Sequence, residues 1–263
     1  MKMVRGFAFL VIGCAWVSSS AWAQLADTID KVKPSVVIVG IYKSTNSPRF
    51  ALHGTGFVVR ETAMVTSNLV VTNAHVLPGP LQVDPDASLV VQVRSGRDDL
   101  QMRQATVLEV DRVHDLALLR IEGQPVAGLS LGVSEQVREG QSFAFMGFPI
   151  GGVLGFSAVT HRASVSSITP ASLPTPTAQQ LNPLAIRSLR LGGGFDIFQL
   201  DGTAYPGNSG GPMFDPESGK VLGVINMVLL KGTRESALSH PSGISYAIPS
   251  RFVRELLERR QVK

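Results

Sequence analysis

This sequence has almost no cysteine. Cys14 is the only one among 263 residues, which excludes a disulfide framework, and a cysteine nucleophile or cysteine metal site in the body of the chain. Aromatic residues are scarce at 6%, with three Tyr and two Trp. Charge is also scarce and nearly balanced, with 24 Lys and Arg against 20 Asp and Glu, for a net +4. That is no electrostatic footprint for nucleic acid, and no nucleic-acid partner is expected. The five histidines are His53, His75, His114, His161 and His240. No two of them have the i, i+4 spacing with an acid that marks a helical metal site, so no metal and no cofactor are expected. His114, beside Asp115, reads as a surface residue.

The one apolar stretch that stands out is at the N-terminus. Lys2 and Arg5 precede the apolar run Phe7 to Val17, which is short of the roughly 20 residues that span a bilayer. Ser18 to Ser20 follow, and Ala21-Trp22-Ala23 then puts small residues where a signal peptidase reads them. Residues 1–23 are therefore expected to be a signal peptide, with a periplasmic or secreted product beginning at Gln24. The alternative is lipoprotein processing at Cys14, since Val11-Ile12-Gly13-Cys14 has lipobox character. Lys2 and Arg5 are the only charged residues before Gln24, so their removal lowers the net charge to +2. No transmembrane segment is expected after the signal.

The remainder, 24–263, is long enough for a sizeable core without disulfides. Leu25, Ile29 and Val32 have the spacing of a short helix over Gln24 to Lys33, ended by Pro34. From Ser35 the texture becomes short β-rich runs punctuated by Gly, Pro, Asn and Asp. The first set is Val36–Tyr42, Gly56–Arg60, Val70–Thr72, Leu89–Arg94, Ala105–Val110 and Leu116–Ile121. The second is Ser142–Gly147, Ala158–Ile168, Phe195–Leu200, Pro212–Phe214, Val221–Leu230 and Gly243–Ala247. Many short strands so spaced indicate an all-β sandwich or barrel. Leu129 to Gly140 reads as the seam between two β units, and Lys43 to His53 as a short loop. Pro170 to Asn182 and the Gly192-Gly193-Gly194 hinge read as mobile loops. Ser250 to Arg260 reads as a closing helix with Ser250 as N-cap and Phe252, Val253, Leu256 and Leu257 on one face. No internal repeat of fixed period is present.

Three residues together suggest chemistry. A serine nucleophile needs a base, a group that holds the base in one tautomer, and N–H donors for the developing oxyanion. Ser209 lies in Tyr205-Pro206-Gly207-Asn208-Ser209-Gly210-Gly211, where glycines allow a sharp turn and close approach of backbone N–H groups. The N–H groups of Gly207 and Ser209, on either side of Asn208, are the expected oxyanion hole. His75 follows the apolar run Val70 to Thr72, and Asp115 heads Leu116 to Ile121. Alone, each has an ordinary structural explanation: a Gly/Ser turn, a half-buried histidine, a strand-end aspartate. Their chain order, His75, Asp115, Ser209, is that of chymotrypsin-type enzymes.

With those motifs the chain resembles the trypsin-like serine proteases, and among them the HtrA/DegP type. The resemblance rests on GTGFVV (54–59), VVTNAHVL (70–77), HDLALLRI (114–121), MGFPIG (146–151), YPGNSGGPMFD (205–215), VLGVINM (221–227) and ISYAIPS (244–250). It covers about 25–258. It implies two six-stranded antiparallel β-barrels, about 35–130 and 140–249, with the active site in the cleft between them. His75 and Asp115 then come from the first barrel and Ser209 from the second. Asn226, Met227 and Val228 are implied to pair with an extended polypeptide substrate. Thr203 is implied to floor the primary specificity pocket, which without an acid there suits small or medium aliphatic side chains. Asp201 is not expected to serve there. Asn208 stands where digestive relatives carry the Asp that pairs with a newly cut N-terminus, so control by loop ordering is expected instead of zymogen clipping. The family usually adds C-terminal PDZ domains, and none is read here. It also implies a trimer built on N-terminal apolar and aromatic contacts, and aromatics are few in this chain.

Two other readings are open to such residues. Gly207 to Gly211 formally fits the G-x-S-x-G of α/β-hydrolases, but that fold needs its acid and His after the serine. The chain there offers only Asp215 and His240 as Asp and His, and no alternating βα pattern. A non-catalytic peptide binder or chaperone on the same scaffold is the second, and a proteolysis assay separates it from an enzyme.

Overall fold

The computed structural model describes residues 21–61, 64–78, 86–96, 99–149, 155–171, 194–226 and 243–261. The expected signal segment up to Ser20, most of the Pro170 to Gly194 stretch, Met227, Val228 and His240 lie outside them.

Twelve strands build two closed barrels. The first six are β1 (Val36–Lys43), β2 (Phe50–Val58), β3 (Leu69–Asn73), β4 (Ala87–Arg94), β5 (Leu100–Asp111) and β6 (Leu116–Ile121). The second six are β7 (Ser142–Gly147), β8 (Val159–Pro170), β9 (Asp196–Leu200), β10 (Pro212–Phe214), β11 (Val221–Asn226) and β12 (Ser245–Pro249). The hydrogen-bonded order is β1-β2-β3-β6-β5-β4 in one barrel and β7-β8-β9-β12-β11-β10 in the other. The two barrels therefore share one antiparallel topology, although the sequence shows no repeat. A fold can repeat without a sequence period because many apolar patterns fill the same barrel.

Apart from β5 and β8, which keep much of their length exposed or half-buried, the strands are apolar on both faces for a reason. Alternate side chains point to opposite sides, and here both sides are buried. Val37, Val39, Val70, Leu119 and Ile121 fill the first barrel, and Phe145, Val165, Phe198, Leu200 and Ile225 fill the second. The intervening residues Val36, Ile38, Val71, Leu116, Leu118, Ala144, Met146 and Val224 form a third core between the barrels. Full burial of each such aliphatic chain contributes about 1.5–3 kcal/mol, so this third core fixes how one barrel sits on the other.

Two helices seal that interbarrel core. α1 (Ala21–Val32) starts earlier than the expected Gln24 and contributes Leu25 and Val32. α2 (Ser250–Gln261) contributes Phe252, Val253, Leu256 and Leu257. The Ser250 hydroxyl does not serve the helix as foreseen: it donates to the Gly132 carbonyl at 3.1 Å. The Arg251 N–H is instead taken by Ser134 Oγ at 3.0 Å, so the seam 129–140 supplies the cap. A second correction concerns 43–53. Phe50 to His53 belong to β2, which pairs with β1 as far as Tyr42, and only the tip remains a turn.

Candidate active site

β3 delivers His75. The strand is buried through Leu69–Asn73, and Ala74 to Val76 turn in a single 3₁₀ turn. β5 and β6 deliver Asp115 through a tight connection. Asp111 Oδ1 accepts the N–H groups of Val113 and His114, each at 3.0 Å. Asp115 then takes φ +51°, the one left-handed non-glycine residue among those described. Aspartate tolerates that region better than most residues.

The resulting contact is short. His75 Nδ1 lies 2.5 Å from Asp115 Oδ2, and the His75 backbone N–H donates to Asp115 Oδ1 at 2.9 Å. The Asp115 carbonyl in turn accepts from Ala74 N–H at 3.1 Å and Asn73 Nδ2 at 3.0 Å. Both ends of Asp115 are thus tied to the His75 segment. The carboxylate on Nδ1 holds Nδ1–H and leaves Nε2 as the basic nitrogen.

Ser209 sits in the turn between β9 and β10 and is 5% exposed. Gly207 has φ +104° and Gly210 φ +87°. A Cβ on Gly210 would lie 2.1 Å from the Thr55 carbonyl and 2.4 Å from Thr72 Oγ1, so only glycine fits. The Asn208 N–H closes the turn on the Tyr205 carbonyl at 2.9 Å. That N–H is therefore engaged, and Asn208 belongs to the turn's frame. Among the described residues, no hydrogen bond takes the Gly207 N–H.

The serine turn is docked on the first barrel by Thr55, a residue sequence reasoning passed over. Its N–H donates to the Ser209 carbonyl at 2.8 Å. Its hydroxyl donates to the Gly207 carbonyl at 2.6 Å and accepts Phe148 N–H at 3.0 Å. Its carbonyl accepts Thr72 Oγ1 at 2.7 Å. The signal was a threonine between two glycines in an apolar run. Gly54 beside it separates Ser209 from the His75 segment: a Cβ there would lie 2.9 Å from the Ser209 carbonyl and 2.6 Å from a Val76 methyl. The structure thus brings His75, Asp115 and Ser209 to one seam between the barrels.

This fold and site have counterparts. A model of the trypsin-like peptidase domain matches residues 54–224. The chain belongs to the trypsin-like peptidases. It is 30% identical over 248 residues to the serine protease HTRA4 of Mus musculus, covering 91% of this chain and 42% of that protein. It is 31% identical to the mitochondrial serine protease HTRA2 of Bos taurus, covering 93% and 44%. The chain thus spans less than half the length of these curated relatives. The solved HtrA-type protease AlgW with tripeptide superposes with a TM-score of 0.62 at 22% identity, over 89% of this chain and 62% of that one. The resemblance to HtrA-type peptidases therefore holds over most of the chain, and the two-barrel fold is the one it implied.

Other expected residues of this trypsin-like peptidase fall as follows. Thr203 is half-buried, six residues before Ser209. Asp201 is exposed and accepts the Ser164 N–H. Asn226 is 1% exposed at the end of β11. Its side chain faces the other barrel and donates to Asp115 Oδ2 at 2.7 Å, a link unforeseen from its place in VLGVINM. Met227 and Val228 lie outside the described residues. His114 is not the surface residue expected. Its side chain is 16% exposed, stacks on Phe252 at 3.8 Å between ring centroids, and bonds Asp111 Oδ2 at 2.8 Å. Arg259 of α2 meets the same Asp111 oxygen at 2.5 Å. Burial raises the Asp111 pKa, but the His114 and Arg259 hydrogen bonds outweigh it and lower it to about 2. Among the described residues no three His, Cys, Asp or Glu side chains converge as a metal site.

Proposed function

We propose that this trypsin-like peptidase is an exported serine endopeptidase that cleaves extended or unfolded polypeptides through a His75-Asp115-Ser209 triad. The observation that carries the reading is the 2.5 Å contact from His75 Nδ1 to Asp115 Oδ2, beside a glycine-framed serine. In the reaction, Nε2 of His75 takes the Ser209 proton as Oγ attacks the peptide carbonyl. Asp115 keeps the ring in one tautomer and stabilises the imidazolium. The N–H groups of Gly207 and Ser209 receive the oxyanion. His75 then protonates the leaving amine, and water releases the acyl-enzyme by the same steps in reverse.

Substrate choice follows from two proposed elements. Thr203 supplies no negative charge for a Lys or Arg side chain, so small or medium aliphatic residues are preferred at the cleaved bond. The segment after Asn226, with Met227 and Val228, aligns the substrate backbone. Export rests on the N-terminal segment. Cleavage after Ala23 would retain Leu25, Ile29 and Val32, the residues that dock α1. A role in protein quality control, and a trimeric assembly of the HtrA kind, belong to the same proposal.

The test is degradation of an unfolded protein such as casein beside a Ser209→Ala control. Wild-type cleavage that the variant lacks supports the reading. Equal behaviour of the two would leave a peptide-binding protein on a peptidase scaffold.

A further inference from the structure

Asn208 sets a problem that the triad does not solve. It lies at the centre of the oxyanion turn, is 0% exposed, and cannot form the ion pair an aspartate would form there. Among the described residues its Oδ1 has no hydrogen-bond partner, and it is pressed towards Gly147, where an added Cβ would come within 2.7 Å of it. One polar contact remains for this side chain among the described residues: Nδ2 lies 3.5 Å from Nε2 of His161. That ring is fixed from another direction. His161 pairs in register with Phe145 across β7 and β8, and the rings stack at 4.7 Å and 14°. The Tyr205 ring, from the start of the same turn, lies 6.3 Å away.

We propose that His161 is a positioning residue for the oxyanion turn, its stacked ring accepting the Asn208 side-chain N–H and so holding residues 205–209 in shape. The proposal rests on the protease reading for its kinetic consequence only. A buried amide with a single partner is sensitive to the loss of that partner. The contact acts on the middle of the segment whose flanking N–H groups are to receive the oxyanion. It therefore affects turnover and not substrate affinity. The role also requires a neutral ring, because a doubly protonated imidazole has no acceptor nitrogen. Burial lowers the pKa of His161 and so favours that form. Among the described residues, the neighbours of the ring are Phe145 from β7 and Asn208 and Tyr205 from the turn, and of these Tyr205 is the titratable one. A folded-state pKa below the unfolded one means that the turn's support is complete above the usual histidine range and is lost as pH falls through the lowered value.

The experiment uses the full chain with its asparagines labelled with nitrogen-15. The Asn208 side-chain amide signals are followed with pH, in the wild type and in His161→Phe, which keeps the stack and removes the acceptor. Labelling by a fluorophosphonate and steady-state kinetics run in parallel, with His161→Gln as the variant that restores a polar partner. The expected result is an Asn208 amide signal that titrates below pH 6.5 in the wild type and does not titrate in His161→Phe. That variant should label about tenfold more slowly, with lower kcat and unchanged KM, and His161→Gln should recover most of the rate. An Asn208 signal indifferent to pH, or wild-type labelling by His161→Phe, overturns the proposal. A wild type that never labels sinks the protease reading instead, while the amide titration still decides the His161–Asn208 contact. Should His161→Phe fail to fold, the wild-type titration and the His161→Gln kinetics decide it.

Discussion

Asn226 Nδ2 donates to Asp115 Oδ2 at 2.7 Å, joining the end of β11 in the second barrel to the acid of the first. The same oxygen meets His75 Nδ1. Asn226 therefore shares the carboxylate with the candidate base and sets the angle at which the acid faces it.

Removing that donor should be felt in turnover. A hydrogen bond to a charged group contributes about 1.5–3 kcal/mol, and about 1.4 kcal/mol is tenfold in rate. Asn226→Ala is expected to lower kcat by about 10- to 100-fold with little change in KM, read by steady-state hydrolysis of a peptide substrate. A raised KM with unchanged kcat would instead assign the side chain to substrate binding.

Asp115 itself offers a sharper substitution. Asparagine tolerates the φ of +51° found there, so Asp115→Asn should keep its circular dichroism spectrum and melting temperature. Held in the wrong tautomer, His75 should lose about 10⁴ in kcat, the cost of the equivalent change in a Ser-His-Asp enzyme. Near-native turnover would move the role to another acid, and two described ones nearby in the chain are already engaged: Asp111 by His114 and Arg259, and Asp99 by the Ser95 hydroxyl.

Thr55 should prove a stability residue as well as a positioning one. Thr55→Val keeps the shape but strands the Gly207 carbonyl and the Phe148 N–H, both buried. At about 1–3 kcal/mol for each orphaned group, the loss should be about 2–6 kcal/mol in urea unfolding. Thr55→Ser should recover most of it, since the hydroxyl is the group that matters.

Asp111 predicts an acid dependence. Its folded-state pKa of about 2 lies below the 3.8 of the free group. Its contribution is therefore complete above about pH 4 and is lost as pH falls towards 2. The shift corresponds to about 2 kcal/mol. In urea titrations, the gap between wild type and Asp111→Asn should close over that interval. A gap that is constant with pH would show that the carboxylate's charge contributes nothing there.

The fold was legible in the sequence because its signals are local. All twelve barrel strands were foreseen near their places, since a strand buried on both faces, as most of these are, reads as a short apolar run between turn residues. His75, Asp115 and Ser209 stand out as candidates because each sits in its own distinctive string. The links between them were not. Thr55 and Ser209 are 154 positions apart in the chain, and Asn226 and Asp115 are 111 apart; nothing in a linear pattern joins them. His114 was misread for the same reason. Its neighbours suggest a turn at the surface, and the rings that cover it, Phe252 of α2 and Phe195, arrive from far along the chain. The Ser250 cap failed because a partner 118 residues away, Gly132, claims the hydroxyl.

The central claim is that Ser209 is a nucleophile activated by His75. Its most direct test is mass-spectrometric mapping of a fluorophosphonate adduct on the intact chain. The adduct should sit on Ser209, disappear in Ser209→Ala, and form far more slowly in His75→Ala. No adduct in the folded wild-type protein, or an adduct that survives Ser209→Ala, would contradict it.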